Sequence, residues 1–289
     1  MHYSRRSWLK TSALLTALAT TGIGAFGNSR TRIKISACDW SLGKSSDPGS
    51  FAIAKSIGLQ GVQLNLGNTE NNLHLRQPDT LQKFLTASKD TSIEISSLAI
   101  AEMNRVPYKT DPRTDQWVSD AIDVAVACGV NVILLAFFDK GDLRNDANGI
   151  ATVTSKLKAI APKAEKHGVC LGIESYLSAD ELMRIMDDVG SPNVKVYYDF
   201  RNSADAGYDV IKELNQLGKD RICELHMKEN GSLLRSGTLD WTKICDTLIA
   251  IDYLGSGWMQ IEGAKPPNTD TVVSYKDNLA FLKTKFGYK

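Results

Sequence analysis

From residue 31 to the end of the chain, short β-rich runs alternate with helical patterns eight times over, and this alternation restricts the fold more than any other feature. A strand, a helix and another strand in succession form the sequence pattern of a parallel β/α unit. The first units read as strand 33–40 with a helix within 49–57, strand 61–67 with helix 78–89, strand 92–100 with helix 113–128, and strand 131–138 with helix 148–167. The second half adds strand 169–175 with helix 178–188, strand 194–200 with helix 208–217, strand 221–229 with helix 240–251, and strand 257–263 with helix 271–285. Val, Ile, Leu and Cys dominate the strands and charges are few, as suits a parallel sheet covered on both faces. Glycines stand just past helix ends in "SIGLQGV", "ACGVNV" and "KHGVCLG", where a left-handed residue commonly stops a helix. Eight units within residues 31–289 match the size of a single-domain (β/α)8 TIM barrel. An open doubly wound sheet is the alternative. No linker rich in Pro, Gly or Ser divides the chain.

The formal net charge is +1, without long basic or acidic runs, so the chain lacks the electrostatic footprint of a nucleic-acid binder and carries no polybasic membrane patch. Small molecules are the expected partners, and a homo-oligomer is left open. The five cysteines (Cys38, Cys128, Cys170, Cys223, Cys245) are odd in number and lack C-x-x-C spacing. They sit in expected strands and helices as small apolar fillers, which argues against a disulfide framework or a zinc knuckle.

Residues 1–27 follow a different logic. "SRRSWLK" precedes the uncharged, weakly apolar run "TSALLTALATTGIGAF", and "AFG" before Asn28 is a loose small-residue cleavage site. The segment resembles a twin-arginine export signal, with Arg5 and Arg6 as the pair and Trp8 where such signals usually carry Phe. That resemblance implies passage through the twin-arginine export machinery, folding before export, and a mature protein in the periplasm or beyond. A metal would then be loaded before the chain meets the ions of the envelope. The run 11–26 is short and interrupted for a bilayer span, so no stable membrane insertion is expected. An uncleaved, membrane-anchored signal is the alternative.

Barrels of this kind form their active sites at the carboxyl ends of the strands. Four consecutive expected strands each end in an ionisable residue: Glu174 in "LGIES", Asp199 in "VYYDF", His226 in "ELHMKE" and Glu262 in "MQIEG". Each interrupts an apolar run where its strand opens toward the mouth, and adjacent strand ends lie within side-chain reach of a common centre. Three carboxylates brought together in a partly dry mouth repel one another, and some must take protons. A divalent metal resolves that repulsion. The oxygen-rich set with one imidazole suits Mn2+ foremost, with Mg2+ or Co2+ as alternatives. It is less typical of Zn2+, which takes more nitrogen and sulfur. Lys228, two residues after His226, points to the same side of its strand, where it could hold a substrate oxygen or stabilise developing negative charge.

Blander roles exist for each residue: a helix N-cap or an Arg partner for a carboxylate, a hydrogen-bonded core imidazole for His226, a solvated loop position for Lys228. Four such residues on successive strands favour the joint explanation. Among the other histidines, His167 reads as the end of a helix, His2 as part of the signal, and His74 as a loop residue without a companion.

The order Glu, Asp, His, Glu at the last four strand ends, with "HMKENG" leading to "SGTLDW" and then "GWMQIEG", resembles the xylose isomerase-like barrels. That superfamily holds sugar isomerases and epimerases, inosose dehydratases and endonuclease IV-type enzymes. The likeness covers the chain after the signal and is strongest over 165–263. It implies that the four positions bind one divalent metal and that Glu174 and Glu262 also serve as the acid/base pair. It also puts Asn202 where related enzymes often have a His or Asn touching substrate or metal. Gln63 stands where many relatives have Glu, which implies an altered substrate contact. The Arg that some epimerases place after the ligand His has no obvious match, and Ser232 or Arg235 occupies that space. The nuclease branch builds its site from several additional histidines, which this chain lacks.

The resemblance implies proton transfer next to a carbonyl, with the metal stabilising the resulting enediolate. Returning the proton to the opposite face gives an epimer, and returning it to the neighbouring carbon gives an isomer. Expelling a β-substituent makes the chain a lyase or dehydratase acting on an oxidised glycoside or inosose. A non-catalytic sugar-binding protein of the envelope is the reading from another class, and retention of both glutamates argues against it. The loops after the seventh and eighth strands show no Gly-rich phosphate cradle, and "EGAKPPN" offers only Lys265 as an anion contact. The expected substrate is therefore a non-phosphorylated sugar, keto-sugar or cyclitol. Trp40, Trp258 and Tyr176 are candidates to stack on sugar faces, with ordinary core packing as the alternative.

Overall fold

The computed structural model describes residues 33–287; the expected export signal lies outside them. Eight parallel strands close into a barrel: β1 (Lys34–Cys38), β2 (Gly61–Asn65), β3 (Glu94–Ile100), β4 (Val132–Phe137), β5 (Cys170–Ser175), β6 (Val194–Asp199), β7 (Ile222–Lys228) and β8 (Trp258–Glu262). The ring runs in chain order and is sealed by β1 against β8, with Ser36 opposite Gln260. The helices are α1 (Ser50–Ile57), α2 (Pro78–Thr91), α3 (Arg113–Cys128), α4 (Ala147–His167), α5 (Ala179–Val189), α6 (Phe200–Asp205), α7 (Val210–Arg221), α8 (Trp241–Ala250) and α9 (Thr271–Lys285). The expected barrel is thus the fold, and the open sheet is excluded by the β1–β8 pairing.

The local chemistry explains the boundaries. Gly129 and Gly168 adopt left-handed φ values of 69° and 64° and stop α3 and α4 in the "ACGVNV" and "KHGVCLG" segments. Ser178 and Glu181 form a reciprocal capping box at the start of α5. Helix α7 is interrupted at Gly218, with φ 61° and ψ 175°, so its regular part ends where the sequence pattern ends. One helix escaped the sequence reading. The short α6 follows β6 without a loop, because the Asp199 side chain accepts a hydrogen bond from the Asn202 backbone N–H at 2.8 Å and caps it.

Two different interiors result. Between strands and helices lies a continuous apolar core that includes Phe51, Leu64, Ile133, Leu171 and Leu248. Inside the barrel one sector of the inward side chains is polar: Ser36, Gln63, Ser96, Ser97, Glu224 and Gln260 are all buried there beside Tyr197, while Ala99, Val132, Leu134, Ala136 and Cys223 form a smaller apolar cluster. Over the polar sector hydrogen bonds replace the apolar filling usual for a barrel interior. This polar floor lies directly beneath the site described next. All five cysteines are free. Among the described residues no helix is long and apolar enough to cross a membrane.

Candidate metal centre and sugar pocket

Glu174, Asp199, His226 and Glu262 stand at or near the carboxyl ends of β5, β6, β7 and β8, and one ligand atom from each falls within 4.8 Å of the other three. His226 is fully buried, with Nδ1 facing the carboxylates: 2.8 Å from Glu174 Oε1, 3.4 Å from Glu262 Oε2 and 3.7 Å from Asp199 Oδ2. Asp199 divides its duties. Its Oδ1 caps α6, while Oδ2 is buried without a hydrogen bond, 3.5 Å from Lys228 Nζ. A buried carboxylate oxygen without a hydrogen bond, among two further carboxylates, is a group that a cation would satisfy. The donor set, three carboxylates and one imidazole, fits a divalent ion that favours oxygen.

Electrostatics separates the two glutamates. Burial raises the Glu174 carboxyl to about 7, against the pull of His226. Burial also disfavours the charge on Glu262, but His226 and Lys228 outweigh it and hold this carboxyl at about 2. Lys228 Nζ lies 2.9 Å from Glu262 Oε2, and the Trp40 indole donates to Glu262 Oε1 at 2.9 Å. The imidazole of His226, despite burial, is driven well above its ordinary range by the surrounding anions, Glu262 foremost. Without a cation the cluster therefore keeps protons on Glu174 and His226.

Above the cluster opens a cavity of about 300 Å³, at the small end of the range of about 300–1,000 Å³ typical of small-molecule sites. Glu174, Glu262, Asn202, Lys228, Trp40 and Tyr176 line it, as expected. Its far wall, from β2 to β4, was not anticipated. There Asn65 and Asn104 bring side-chain amides to the cavity, Ala99, Leu134 and Ala136 leave room, and Phe138 packs edge-on to Tyr176 with centroids 4.8 Å apart. The only signal for these residues was their place at or just beyond strand ends. Among the described residues Lys228 is the one cationic side chain on the lining, and it is already paired.

Three expected contacts lie elsewhere. Gln63 is fully buried one layer below the mouth, its Oε1 3.1 Å from His226 Nε2, so it meets the imidazole and no substrate. Trp258 opens β8 and therefore sits at the opposite end of the barrel, against Gly61 and under the Lys34 ammonium. Lys265 donates to the Thr269 carbonyl within its own loop and does not line the cavity. His74 is buried against Phe84.

Residues 51–285 match the family described as "Xylose isomerase-like TIM barrel". The chain belongs to that family. Among curated proteins, a 2-epi-5-epi-valiolone 7-phosphate 2-epimerase from Actinoplanes sp. is 21% identical over 197 residues, covering 68% of this chain and 72% of its own. A D-psicose 3-epimerase from Enterocloster bolteae is 27% identical over 128 residues, covering 41% of this chain and 42% of the relative. Among solved xylose isomerase-like barrels, the 3-keto-D-glucoside 4-epimerase from E. coli superposes with a TM-score of 0.67 at 16% identity, over 88% of this chain and all of that one. The D-psicose 3-epimerase from Clostridium cellulolyticum H10 reaches 0.74 at 14% identity, over 88% and 99%. At such identities the superpositions establish the shared fold.

Proposed function

We propose that this chain is a divalent-metal-dependent epimerase acting on a neutral, non-phosphorylated keto-sugar or keto-glycoside. The observation that carries this reading is the placement of Glu174 and Glu262 on β5 and β8, on either side of Asp199 and His226, at the floor of one cavity. Two carboxyls approaching from different strands can reach opposite faces of a sugar carbon. Glu262, kept ionised by Lys228 and His226, is the group suited to remove the carbon-bound proton, and Glu174, which holds a proton near neutrality, is suited to return one from the other side. Lys228 offers its ammonium to the oxygen that gains charge as the proton leaves. A divalent ion bound among the four side chains supplies positive charge that lowers the cost of the same anion. Asn65 and Asn104 donate toward the distal hydroxyls, and Tyr176 and Phe138 present faces against which a pyranose can stack. Among the described residues a phosphate finds no unpaired cation on this lining.

The sugar epimerases among its relatives support the reaction class. Proton exchange tests it: a candidate keto-sugar incubated in D2O takes up deuterium only with metal present, and Glu262→Gln abolishes uptake. Metal binding without exchange or cleavage of any keto-sugar points to a sugar-binding protein, and cleavage in place of exchange points to a lyase. We further propose that residues 1–27 direct export by the twin-arginine route. Cell fractionation of an Arg5→Lys, Arg6→Lys chain tests this, the wild type alone reaching the periplasm.

A further inference from the structure

Beneath the metal ligands, the barrel interior contains a hydrogen-bond chain whose polarity can be worked out from donors and acceptors alone. It starts at Glu224, which is 1% exposed. Glu224 Oε2 lies within hydrogen-bond distance of Ser97 Oγ at 2.7 Å, Tyr197 OH at 3.0 Å and Gln260 Nε2 at 3.0 Å, while its Oε1 has no partner. With the carboxyl ionised, Oε2 accepts from all three. Ser97 and Tyr197 each own one hydroxyl hydrogen, and both hydrogens are committed to Glu224. Toward Gln63 the two hydroxyls can then only accept.

That fixes the orientation of the Gln63 amide. Its Nε2 donates to Ser97 Oγ at 3.2 Å and to Tyr197 OH at 3.0 Å, which uses both N–H groups. Its Oε1 must consequently face the other way, where it lies 3.1 Å from His226 Nε2 and 3.2 Å from Cys38 Sγ. A flipped amide would set N–H groups against the imidazole and leave two hydroxyls facing a carbonyl with no hydrogen to give. An oxygen at 3.1 Å from a ring nitrogen requires a hydrogen between them. The Cys38 thiol lies 3.4 Å from the same nitrogen, but it is the weaker donor and has Gln63 Oε1 closer.

We infer that Gln63 is a positioning residue: it holds the proton of His226 on Nε2, and so presents Nδ1 as the ligating nitrogen toward Glu174, Asp199 and Glu262. The polarity originates in Glu224, a layer below, and passes through Ser97 and Tyr197. Outer hydrogen bonds of this kind set both the tautomer and the ring orientation of a ligating histidine. The inference deepens the metal-centre reading and rests on it for affinity only; the hydrogen bond from Nε2 to Gln63 is a property of the protein itself.

The test uses the full chain labelled with 15N-histidine, which has four histidines to resolve. Imidazole nitrogen shifts of His226, assigned by difference against His226→Gln, are recorded without metal and with diamagnetic Mg2+. The expected result is a protonated Nε2 in both states, with Nδ1 alone changing when Mg2+ is added. Calorimetry with Mn2+ then compares Gln63→Met, which keeps the length but removes the acceptor, with Gln63→Glu, which keeps the acceptor. Gln63→Met binds about 10- to 100-fold more weakly, with mixed tautomers, while Gln63→Glu keeps Nε2 protonated and recovers affinity. A bare Nε2 in the wild type, receiving the Cys38 thiol, overturns the inference; so does Gln63→Met that folds and binds Mn2+ as tightly as the wild type. Failure of the chain to bind any divalent ion defeats the metal reading, and the Nε2–H shift of the metal-free wild type compared with Gln63→Met still decides whether Gln63 is its acceptor.

Discussion

Replacing Lys228 with Met separates two roles that the structure assigns to one ammonium. Nζ lies 2.9 Å from Glu262 Oε2 and 3.5 Å from Asp199 Oδ2, and the side chain is 20% exposed. Coulomb's law gives the shorter contact about 1.4 kcal/mol in a water-like medium and about 6 kcal/mol at an effective dielectric of about 20. Partial exposure puts the real value toward the lower end. A divalent ion competes for the same two oxygens. Removing the ammonium therefore tightens Mn2+ binding, by about tenfold for each 1.4 kcal/mol of lost competition. The metal-free protein, left with three carboxylates and no neighbouring lysine, unfolds at lower temperature, and Mn2+ restores it. Catalysis moves the other way, because loss of a donor aimed at developing charge typically costs about 10²- to 10³-fold in turnover. Calorimetry, thermal unfolding with and without Mn2+, and deuterium uptake from D2O give the three readings. Weaker Mn2+ binding in Lys228→Met, or undiminished uptake, refutes this account of the site.

Other outcomes follow from the same geometry. Glu174 and His226 are both raised and hold protons in the metal-free protein, so Mn2+ binding at pH 6 releases protons and weakens as pH falls below about 7; calorimetry in buffers of different ionisation enthalpy counts them. Burial also raises Asp39 and Glu224 to about 7. Buried carboxyls with raised values stabilise the fold at acid pH and lose that contribution as pH climbs through the folded value, so metal-free Tm declines between about pH 4 and pH 7. A Tm that rises across that window contradicts the assignment. Gly172→Ala forces a Cβ to within 2.7 Å of Cys223 Sγ and costs about 1–3 kcal/mol by overpacking, seen in denaturant unfolding. Asn65→Ala raises KM several-fold with kcat and Mn2+ affinity kept, the signature of lost uniform binding.

The candidate metal ligands were legible because each one breaks an apolar strand at its carboxyl end, and strand direction alone converts that position into a place in the mouth. Even the competing explanation for Asp199 holds: it is an N-cap through Oδ1 and faces the other ligands through Oδ2. Gln63 and Asn65 illustrate the limit. Both sit on β2 and both point inward, yet one lies beneath the imidazole and the other lines the cavity. Depth along the barrel axis depends on strand tilt and register, which no single strand encodes. Trp258 was a different failure, since its position four residues before Glu262 already places it at the far end. The asparagines of the far wall carry no charge and break no pattern, so nothing in the chain marks them until the loops are folded. Lys265 was misjudged because loop carbonyls can satisfy an ammonium as well as a ligand can.

The seam between β1 and β8 has a consequence for when this protein becomes competent. The first strand finds one of its two neighbours only after the last strand has emerged, and Glu262, the final member of the candidate quartet, arrives on that same strand. An unfinished polypeptide on the ribosome therefore offers an open sheet and an incomplete cage. If the site takes a divalent ion as proposed, whichever cell compartment witnesses closure of the ring is also the one whose ion pool fills it.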